Sequence, residues 1–320
     1  MKKTIISLLA AAAAITGFVA CDTDAEPLNL QPAYQYSEEY YANLRAYKES
    51  DHSICYLWFA DYGVPSSPAY RLAGIPDSVD IVSLWGGIPK KGTLDYKEMW
   101  EMRNKKGTKI VSVTIIRIMN FLEELGITSD DVYNDTTTID PEGVYPDWCV
   151  LFGNKLLNEM WDNNLDGIDL DYEPEGDPLS GDRMTTFIKY LGQFIGPQGA
   201  DPTKLLIIDH YGQVPPTECE PYTNLKVRQA YNTTISDYSF DAGWPNEKQV
   251  FAENIGDNWA TGGNMEQQAA FQPSSGGRKG GFGAFHGQRD YNTNDSGADK
   301  EMPYGHLRRA IQLQNPAIIK

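Results

Sequence analysis

The sequence predicts an α/β protein that folds as a (β/α)8 barrel, also called a TIM barrel. Two observations predict it: eight short apolar runs are each bounded by turn residues, and helix-like segments lie between several of them. The runs do not alternate strictly between apolar and polar residues, which is typical of parallel strands covered on both faces. Eight such strands in one domain favour a closed barrel, although periodicity alone leaves an open doubly wound sheet as an alternative.

The predicted elements follow in chain order. The strands are Ile54–Ala60, Ile81–Trp85, Lys109–Ile116, Gly167–Tyr172, Leu205–Asp209, Lys226–Tyr231, Gln249–Ile255 and Gly281–Phe285. The helix-like segments are Ser37–Glu49, Tyr96–Asn104, Trp148–Asn163, Arg183–Ile195, Met265–Phe271 and Tyr304–Leu313. The connections that follow the fifth and sixth strands are rich in proline, glycine and polar residues, which do not favour a full helix. We therefore predict that helices 5 and 6 of the repeat are missing or reduced to turns.

One connection is unusually long. About 30 residues, from Met119 to Pro146, follow the third strand, and a connection of that length in a compact domain is usually functional. We expect it on the face of the barrel that carries the active site.

Composition and charge exclude several classes of protein. The chain has 320 residues, 44 of them acidic and 27 basic, and a formal net charge of −17, which argues against nucleic acid as a partner. Aromatic residues make up 12%, too many for a disordered chain.

The histidines are scattered and no CxxC is present, so no metal site is predicted. Cys55, Cys149 and Cys219 leave room for one disulfide, but not for a disulfide framework.

The N-terminus has the pattern of a secretory signal. Lys2 and Lys3 precede an apolar run, and the segment Phe18-Val19-Ala20-Cys21 resembles the lipobox of bacterial lipoproteins. The resemblance implies cleavage before Cys21 and lipidation of its sulfur; the alternative is an ordinary signal peptide with an incidental cysteine. We expect a signal peptide over 1–20, a lipidated tether over 21–36 and a single barrel domain over 37–320.

The acidic residues after Cys21 resemble the surface-export tag of Bacteroidetes lipoproteins. This implies a lipid-anchored location on the outer membrane, exposed at the cell surface and held by lipid alone.

Three carboxylates line one face of the fourth predicted strand. Alternate residues of a strand share a face, so Asp169, Asp171 and Glu173 point one way. Residues 168, 170 and 172 are apolar or aromatic and point toward the helices. Glu173 then lies nearest the C-terminal mouth, where barrels of this type carry out their chemistry.

Carboxylates stacked this closely repel each other, and a proton on at least one of them relieves the repulsion. A carboxylic acid that stays protonated near neutral pH can act as a general acid on a glycosidic oxygen. Two alternatives are a solvated acidic face and a calcium site. The calcium pattern of an EF-hand loop needs Gly at position six and Glu at position twelve, and the registers that begin at Asp166 and at Asp169 both lack them. Asp166 is three residues before Asp169, so it points to the other face of the strand, and we expect a structural role for it.

The segment Asp166-Gly167-Ile168-Asp169-Leu170-Asp171-Tyr172-Glu173 resembles the DGxDxDxE signature of family 18 glycoside hydrolases. The resemblance implies a (β/α)8 barrel and retaining hydrolysis in which the substrate's own 2-acetamido oxygen attacks the anomeric carbon. It also implies that Glu173 is the acid and then the base, that Asp171 orients the acetamido group, and that Asp169 tunes Asp171. No cofactor is implied.

The sixth strand indicates the branch of the family. Gln229 and Tyr231 share a face, and this QxY is similar to the pattern of endo-β-N-acetylglucosaminidases, whereas chitinases typically show MxYD there. An amide beside a phenol suits hydrogen bonding to an acetamido group. The alternative is that both residues only fill the barrel.

Aromatic residues at strand ends are candidates for stacking on sugar faces. We consider Trp58, Tyr62, Trp85 and Trp244, and favour Trp85 because Ile81, Ser83 and Trp85 share a face. The chain departs from the family after the third strand, where Ser112-Val113-Thr114-Ile115 replaces SxGG, and at the eighth, which ends in Phe285-His286 and not Trp.

The resemblances together imply a surface lipoprotein that hydrolyses the GlcNAc-β-1,4-GlcNAc bond in the core of N-glycans on glycoproteins. Neighbouring outer-membrane glycan-uptake proteins are the expected partners. A non-catalytic glycan-binding lipoprotein and a chitinase-like hydrolase are the alternatives.

Overall fold

Eight parallel strands close into a barrel in which each strand pairs with the next and the last pairs with the first. The computed structural model describes residues 36–63, 67–135, 143–292 and 303–316. The strands are β1 (Ile54–Trp58), β2 (Ile81–Ser83), β3 (Lys109–Ile115), β4 (Gly167–Tyr172), β5 (Leu205–His210), β6 (Leu225–Gln229), β7 (Gln249–Asn254) and β8 (Gly281–Phe285). The predicted (β/α)8 barrel is confirmed.

Helices of varied length connect the strands. The α-helices are Glu38–Lys48, Leu94–Glu101, Met119–Leu122, Ser129–Asn134, Asp147–Asp162, Asp182–Leu191, Ile255–Asn258, Met265–Ala270 and Gly305–Gln314, and a π-helical turn, Met102–Lys106, continues the second. The 3₁₀-helices are Pro68–Tyr70, Leu72–Gly74, Glu123–Leu125, Thr217–Tyr222, Asp237–Ser239, Asn246–Lys248 and Gly287–Asn292. The helix predicted to reach Ile195 ends at Leu191. Gly192, which follows it, packs against Tyr222, where an added Cβ would lie 2.6 Å from the ring.

The connections after β5 and β6 hold only 3₁₀ turns over the fully described segment 205–254, so the prediction of reduced helices is confirmed. Loop residues take the place of the helices on this side of the barrel. Lys226 Nζ, which is buried, donates to Asp241 Oδ2 at 2.5 Å and lies 5.0 Å from the centre of the Trp244 ring. A buried ammonium needs such a partner, since an unpaired charge in the interior is costly.

The β4 side chains separate into two environments. Ile168, Leu170 and Tyr172 are buried in the large apolar cluster between barrel and helices, together with Phe152 and Phe187. A second cluster fills the barrel interior and consists of Tyr56, Trp58, Ile81, Val111, Ile207, Val227, Val250 and Ala252. The acidic residues of β4 point into this second layer, as the period of two predicts.

The N-terminal end of β4 is closed by an ion pair. The Arg103 guanidinium donates to both Asp166 oxygens at 2.7–3.0 Å, and the Ile110 amide donates to Asp166 Oδ2 at 3.0 Å. The structural role expected for Asp166 fits these contacts. Cys55, Cys149 and Cys219 are buried and free, so the one disulfide that the sequence allowed does not form among them.

Residues 1–20 and Cys21, to which we assign the signal peptide and the lipid anchor, lie outside the described residues. The domain boundaries at 20 and 36 stay predictions. Among the described residues, no helix combines the length and the apolar character that crossing a membrane requires.

Candidate active site

The fourth strand delivers the acidic residues to the barrel mouth. Gly167 begins the strand, and a side chain there is excluded because a Cβ would lie 2.3 Å from the Leu205 carbonyl oxygen. From Gly167 the chain runs fully buried to Tyr172, and Glu173 follows half-buried at the C-terminal end. The glycine of the motif therefore sets the close β4–β5 contact on which the position of the carboxylates depends.

Asp169 is held by three donors on one oxygen. The Tyr56 hydroxyl, the Trp58 indole N–H and the Ser83 hydroxyl donate to Asp169 Oδ2 at 2.6, 2.9 and 2.7 Å. Asp169 is completely buried, which raises its pKa, while the three hydrogen bonds act in the opposite direction. These contacts favour an ionised, immobile carboxylate at the floor of the site.

Asp171 lies one layer above Asp169 and is only 3% exposed. Gln229 Nε2 donates to Asp171 Oδ1 at 3.1 Å. Burial, followed by the charges of Glu173 and Asp169, raises the pKa of Asp171 to about 7. The sequence predicts that a proton on at least one carboxyl group of this column relieves the repulsion, and the raised pKa of Asp171 agrees with this.

Glu173 and Tyr231 complete the upper part of the site. Glu173 is close enough to Asp171 and to Tyr231 for its charge to act on the pKa of both. Burial and then the charges of four carboxylates raise the pKa of Tyr231, so its phenol remains a neutral hydrogen-bond donor. The structure thus brings Glu173, Asp171, Asp169, Gln229 and Tyr231 together.

Asp209 also belongs to this group, and our sequence reasoning missed it. It pairs in register with Asp171 across β4 and β5, is completely buried, and accepts from Gln229 Nε2 at 2.6 Å. The signal was present: Asp209 ends the apolar run Leu205–Ile208 at the same edge of the barrel as the β4 motif.

An aromatic row crosses the mouth beside the carboxylates. The Trp85 and Phe285 rings meet edge to face at 5.1 Å, Phe285 stacks on Tyr231 at 5.8 Å, and Tyr231 stacks on Tyr211 at 6.4 Å. Phe285, which ends β8 where the family often has Trp, is thus a further residue of the site. Trp85 is half-buried and Tyr211 is 57% exposed, so both present ring surface to a ligand.

Two of the other aromatic candidates are wrong. Trp58 is buried with its indole committed to Asp169, and Trp244 is buried outside the barrel against Lys226. Tyr62 is half-buried and donates its hydroxyl to the Gly87 carbonyl oxygen; a role in sugar contact stays a prediction for it.

The long connection after β3 lies beside Glu173. Arg117 pairs with Glu175 at 2.5 Å, and the Met119 amide donates to Asp177 at 3.1 Å. Residues 136–142 of this connection lie outside the described residues. Glu175 has a φ of 38°, a left-handed value that costs free energy in a non-glycine residue.

A family model, described as glycoside hydrolase family 18, BT1044-like, matches residues 21–258. The chain belongs to glycoside hydrolase family 18. The match spans β1 to β7 and includes Asp169, Asp171, Glu173, Asp209 and Gln229.

Two curated proteins resemble this family 18 chain over about half its length. Endo-beta-N-acetylglucosaminidase F2 of Elizabethkingia meningoseptica is 28% identical over 168 residues, which are 49% of this chain and 44% of that protein. Endo-beta-N-acetylglucosaminidase EndoS of Streptococcus pyogenes serotype M1 is 25% identical over 176 residues, which are 50% of this chain and 17% of that protein. The chain therefore spans less than half the length of either relative.

Solved structures share the barrel. A selenomethionine-labelled Glu-to-Gln variant of BT1044 superposes with a TM-score of 0.69 at 22% identity, covering 87% of this chain and 93% of the other. The endo-beta-N-acetylglucosaminidase from Cordyceps militaris superposes with a TM-score of 0.62 at 21% identity, covering 88% and 98%. At these identities the likeness concerns the family 18 fold.

Proposed function

We propose that the protein is an endo-β-N-acetylglucosaminidase that hydrolyses the GlcNAc-β-1,4-GlcNAc bond in the core of N-glycans. The observation that carries the proposal is the hydrogen bond that the Gln229 amide donates to Asp171. Tyr231 lies beside this pair, and the buried Asp169 lies below it. This group offers both a carboxylate and neutral donors to an N-acetyl group. The names of the two curated relatives, both endo-beta-N-acetylglucosaminidases, support it.

Glu173 is proposed as the acid and base. It is the carboxyl of the column nearest the mouth, so it can reach the glycosidic oxygen of a sugar seated there. It first donates its proton to the leaving oxygen and then removes a proton from the water that opens the intermediate.

The substrate's 2-acetamido oxygen is proposed as the nucleophile, as in the substrate-assisted scheme of this family. Asp171 receives the acetamido N–H and its negative charge stabilises the oxazolinium-like intermediate that forms. Tyr231, as a neutral phenol, donates to the acetamido group. Tyr56, Trp58 and Ser83 donate hydrogen bonds to Asp169. They hold its negative charge in a fixed position below Asp171.

One assay separates this activity from the two alternatives. The chain over 22–320 is incubated with an N-glycosylated protein and, separately, with chito-oligosaccharides, and products are followed by mass. Loss of all but one GlcNAc from the protein supports the proposal. Binding without a change in mass indicates a glycan-binding protein, and release of chitobiose indicates a chitinase-like hydrolase.

Trp85→Ala tests the aromatic row. A sugar ring stacked on Trp85 gains about 1 kcal/mol, so we expect KM for the glycoprotein to rise about fivefold while kcat changes little. Trp161→Ala, which truncates an exposed tryptophan on the helix Asp147–Asp162, is the matched control and should leave KM unchanged. An unchanged KM in the Trp85 variant removes Trp85 from the sugar-binding site.

The location is proposed from the N-terminal sequence. We propose that Cys21 is lipidated and holds the protein at the outer-membrane surface, as the lipobox-like segment and the acidic residues after it imply. Cells that express the chain and are fed a labelled fatty acid should label it, whereas Cys21→Ser should not be labelled and should be released from membranes. Surface protease treatment of intact cells should degrade the wild-type protein; full protection would contradict surface exposure.

A further inference from the structure

Asp209 is a buried carboxyl group that the proposed mechanism does not use. It lies level with Asp171 on the neighbouring strand, and one amide nitrogen of Gln229 bonds both, at 2.6 Å to Asp209 Oδ1 and 3.1 Å to Asp171 Oδ1. Asp169 lies within hydrogen-bonding reach of Asp209 from the layer below. Three buried aspartates therefore lie close together around one half-buried amide.

Two oxygens of this group lack a conventional donor. Asp169 Oδ1 and Asp209 Oδ2 are buried, and no nitrogen or hydroxyl of the described residues donates to either. Ionised carboxylates only accept, so the two groups can bond each other only if one carries a proton. Leaving buried acceptors unpaired costs free energy, and a single proton between the two oxygens removes that cost.

The contacts indicate which group holds this proton. Asp169 Oδ2 receives three donors, which favour its anion, whereas Asp209 receives one amide N–H. Burial, followed by the charges of Asp169 and Asp171, raises the pKa of Asp209 well above its ordinary value.

The other titratable groups that face Asp209 do not supply a positive charge. They are the phenols of Tyr56 on β1 and of Tyr231 just after β6, and the pKa of both is raised by burial first. Both phenols therefore stay neutral, and the proton on Asp209 is the means of reducing the negative charge of the cluster.

We infer that Asp209 is a positioning residue that works as a neutral carboxylic acid: its O–H donates to Asp169, and its Oδ1 accepts from Gln229 and so holds the amide that orients the Asp171 carboxylate for the acetamido group. The kinetic consequence rests on the proposed function, whereas the protonation does not. The hydrogen bond that Gln229 donates to Asp171 also favours the ionised form of Asp171. Asparagine has the shape and the donor of a protonated aspartate, so it should replace Asp209, and alanine should not.

Kinetics of Asp209→Asn and Asp209→Ala test the role. We expect kcat of the Asn variant to stay within about threefold of the wild-type value. The acid limb of its plot of kcat/KM against pH should stay at the wild-type position. The Ala variant should lose kcat about 10- to 100-fold because Gln229 is no longer held against Asp171. The acid limb of its pH profile should move up by about one pH unit because Asp171 then becomes harder to ionise. An Asn variant as impaired as the Ala variant, or an Ala variant with an unmoved limb, would overturn the inference.

Infrared difference spectroscopy tests the protonation without any substrate, and it needs only the isosteric variant. The wild-type minus Asp209→Asn spectrum at pH 7 should contain the C=O stretch of a protonated carboxyl group. Its absence would overturn the inference even if the enzyme is active. Its presence in a chain that cleaves no glycan would refute the proposed function and leave the protonated Asp209 in place.

Discussion

Glu173→Gln is expected to abolish most turnover while glycan binding is retained. General acid–base catalysis contributes about 10²–10⁴ in rate, and glutamine can neither protonate the leaving oxygen nor activate water, so kcat should fall by about that factor. The side chain is half-buried at the mouth and its replacement is isosteric, so the barrel should keep its melting temperature. Turnover is measured by mass on a glycoprotein and binding by calorimetry with the released glycan.

Glu175→Gln is the matched control for this variant. It makes the same change two residues further on, in a side chain that is 65% exposed and pairs with Arg117 at the surface. Exposed ion pairs contribute about 0–1 kcal/mol, so activity should stay close to the wild-type value. Wild-type turnover in the Glu173 variant, or equal losses in both variants, would refute the role assigned to Glu173.

The sequence predicted the barrel and the β4 column because both depend on local patterns. The apolar runs locate all eight strands to within two residues at each end, and the period of two places Asp169, Asp171 and Glu173 inside. Proline and glycine after β5 and β6 correctly indicated the reduced helices. In each case a short stretch of chain contains the whole signal.

The parts that were missed depend on contacts between distant strands. Asp209 reaches the site through strand register and belongs to no motif, and the contacts of Phe285 with Trp85 and Tyr231 depend on ring packing across the mouth. Trp58 was misjudged for the same reason. Trp58 points into the barrel, as a sugar-contacting residue would. The strand register, however, places its indole against Asp169, 111 residues away in the chain, and not at the mouth. The alternation along a strand predicts which way a side chain points. Its position along the barrel axis depends on how all eight strands pair in the closed sheet.

Asp171→Asn is expected to reduce activity and to stabilise the fold, with both effects depending on the same buried charge. Asparagine cannot accept the acetamido N–H with a full negative charge or stabilise the positive intermediate, so kcat should fall about 10²–10³-fold. Gln229 can still donate to the retained Oδ1, so the loss reflects charge and not collapse of the site.

The stability effect follows from the raised pKa of Asp171. Its pKa is about 7 in the folded chain against 3.8 for an ordinary aspartate, so the folded state holds a proton that the unfolded chain releases between these values. Wild-type stability therefore falls as pH rises through this window, and the full penalty, at most about 4 kcal/mol, is present above pH 7. The Asn variant lacks this contribution. Its free energy of unfolding should match the wild-type value near pH 4 and exceed it by pH 8.

Urea unfolding of both proteins at pH 4, 6 and 8 measures this difference, and Asp166→Asn provides the contrast. Asp166 lies on the same segment but at the closed end of the barrel, where its charge is paired with Arg103. Loss of the Asp166 charge should lower stability and leave kcat unchanged. The carboxylate binds Arg103 of the π-helical turn and the Ile110 amide of β3, both far from the mouth. If Asp171→Asn instead destabilised the protein at pH 8, the Asp171 carboxylate would stabilise the fold. The prediction that its buried charge lowers stability would then be wrong.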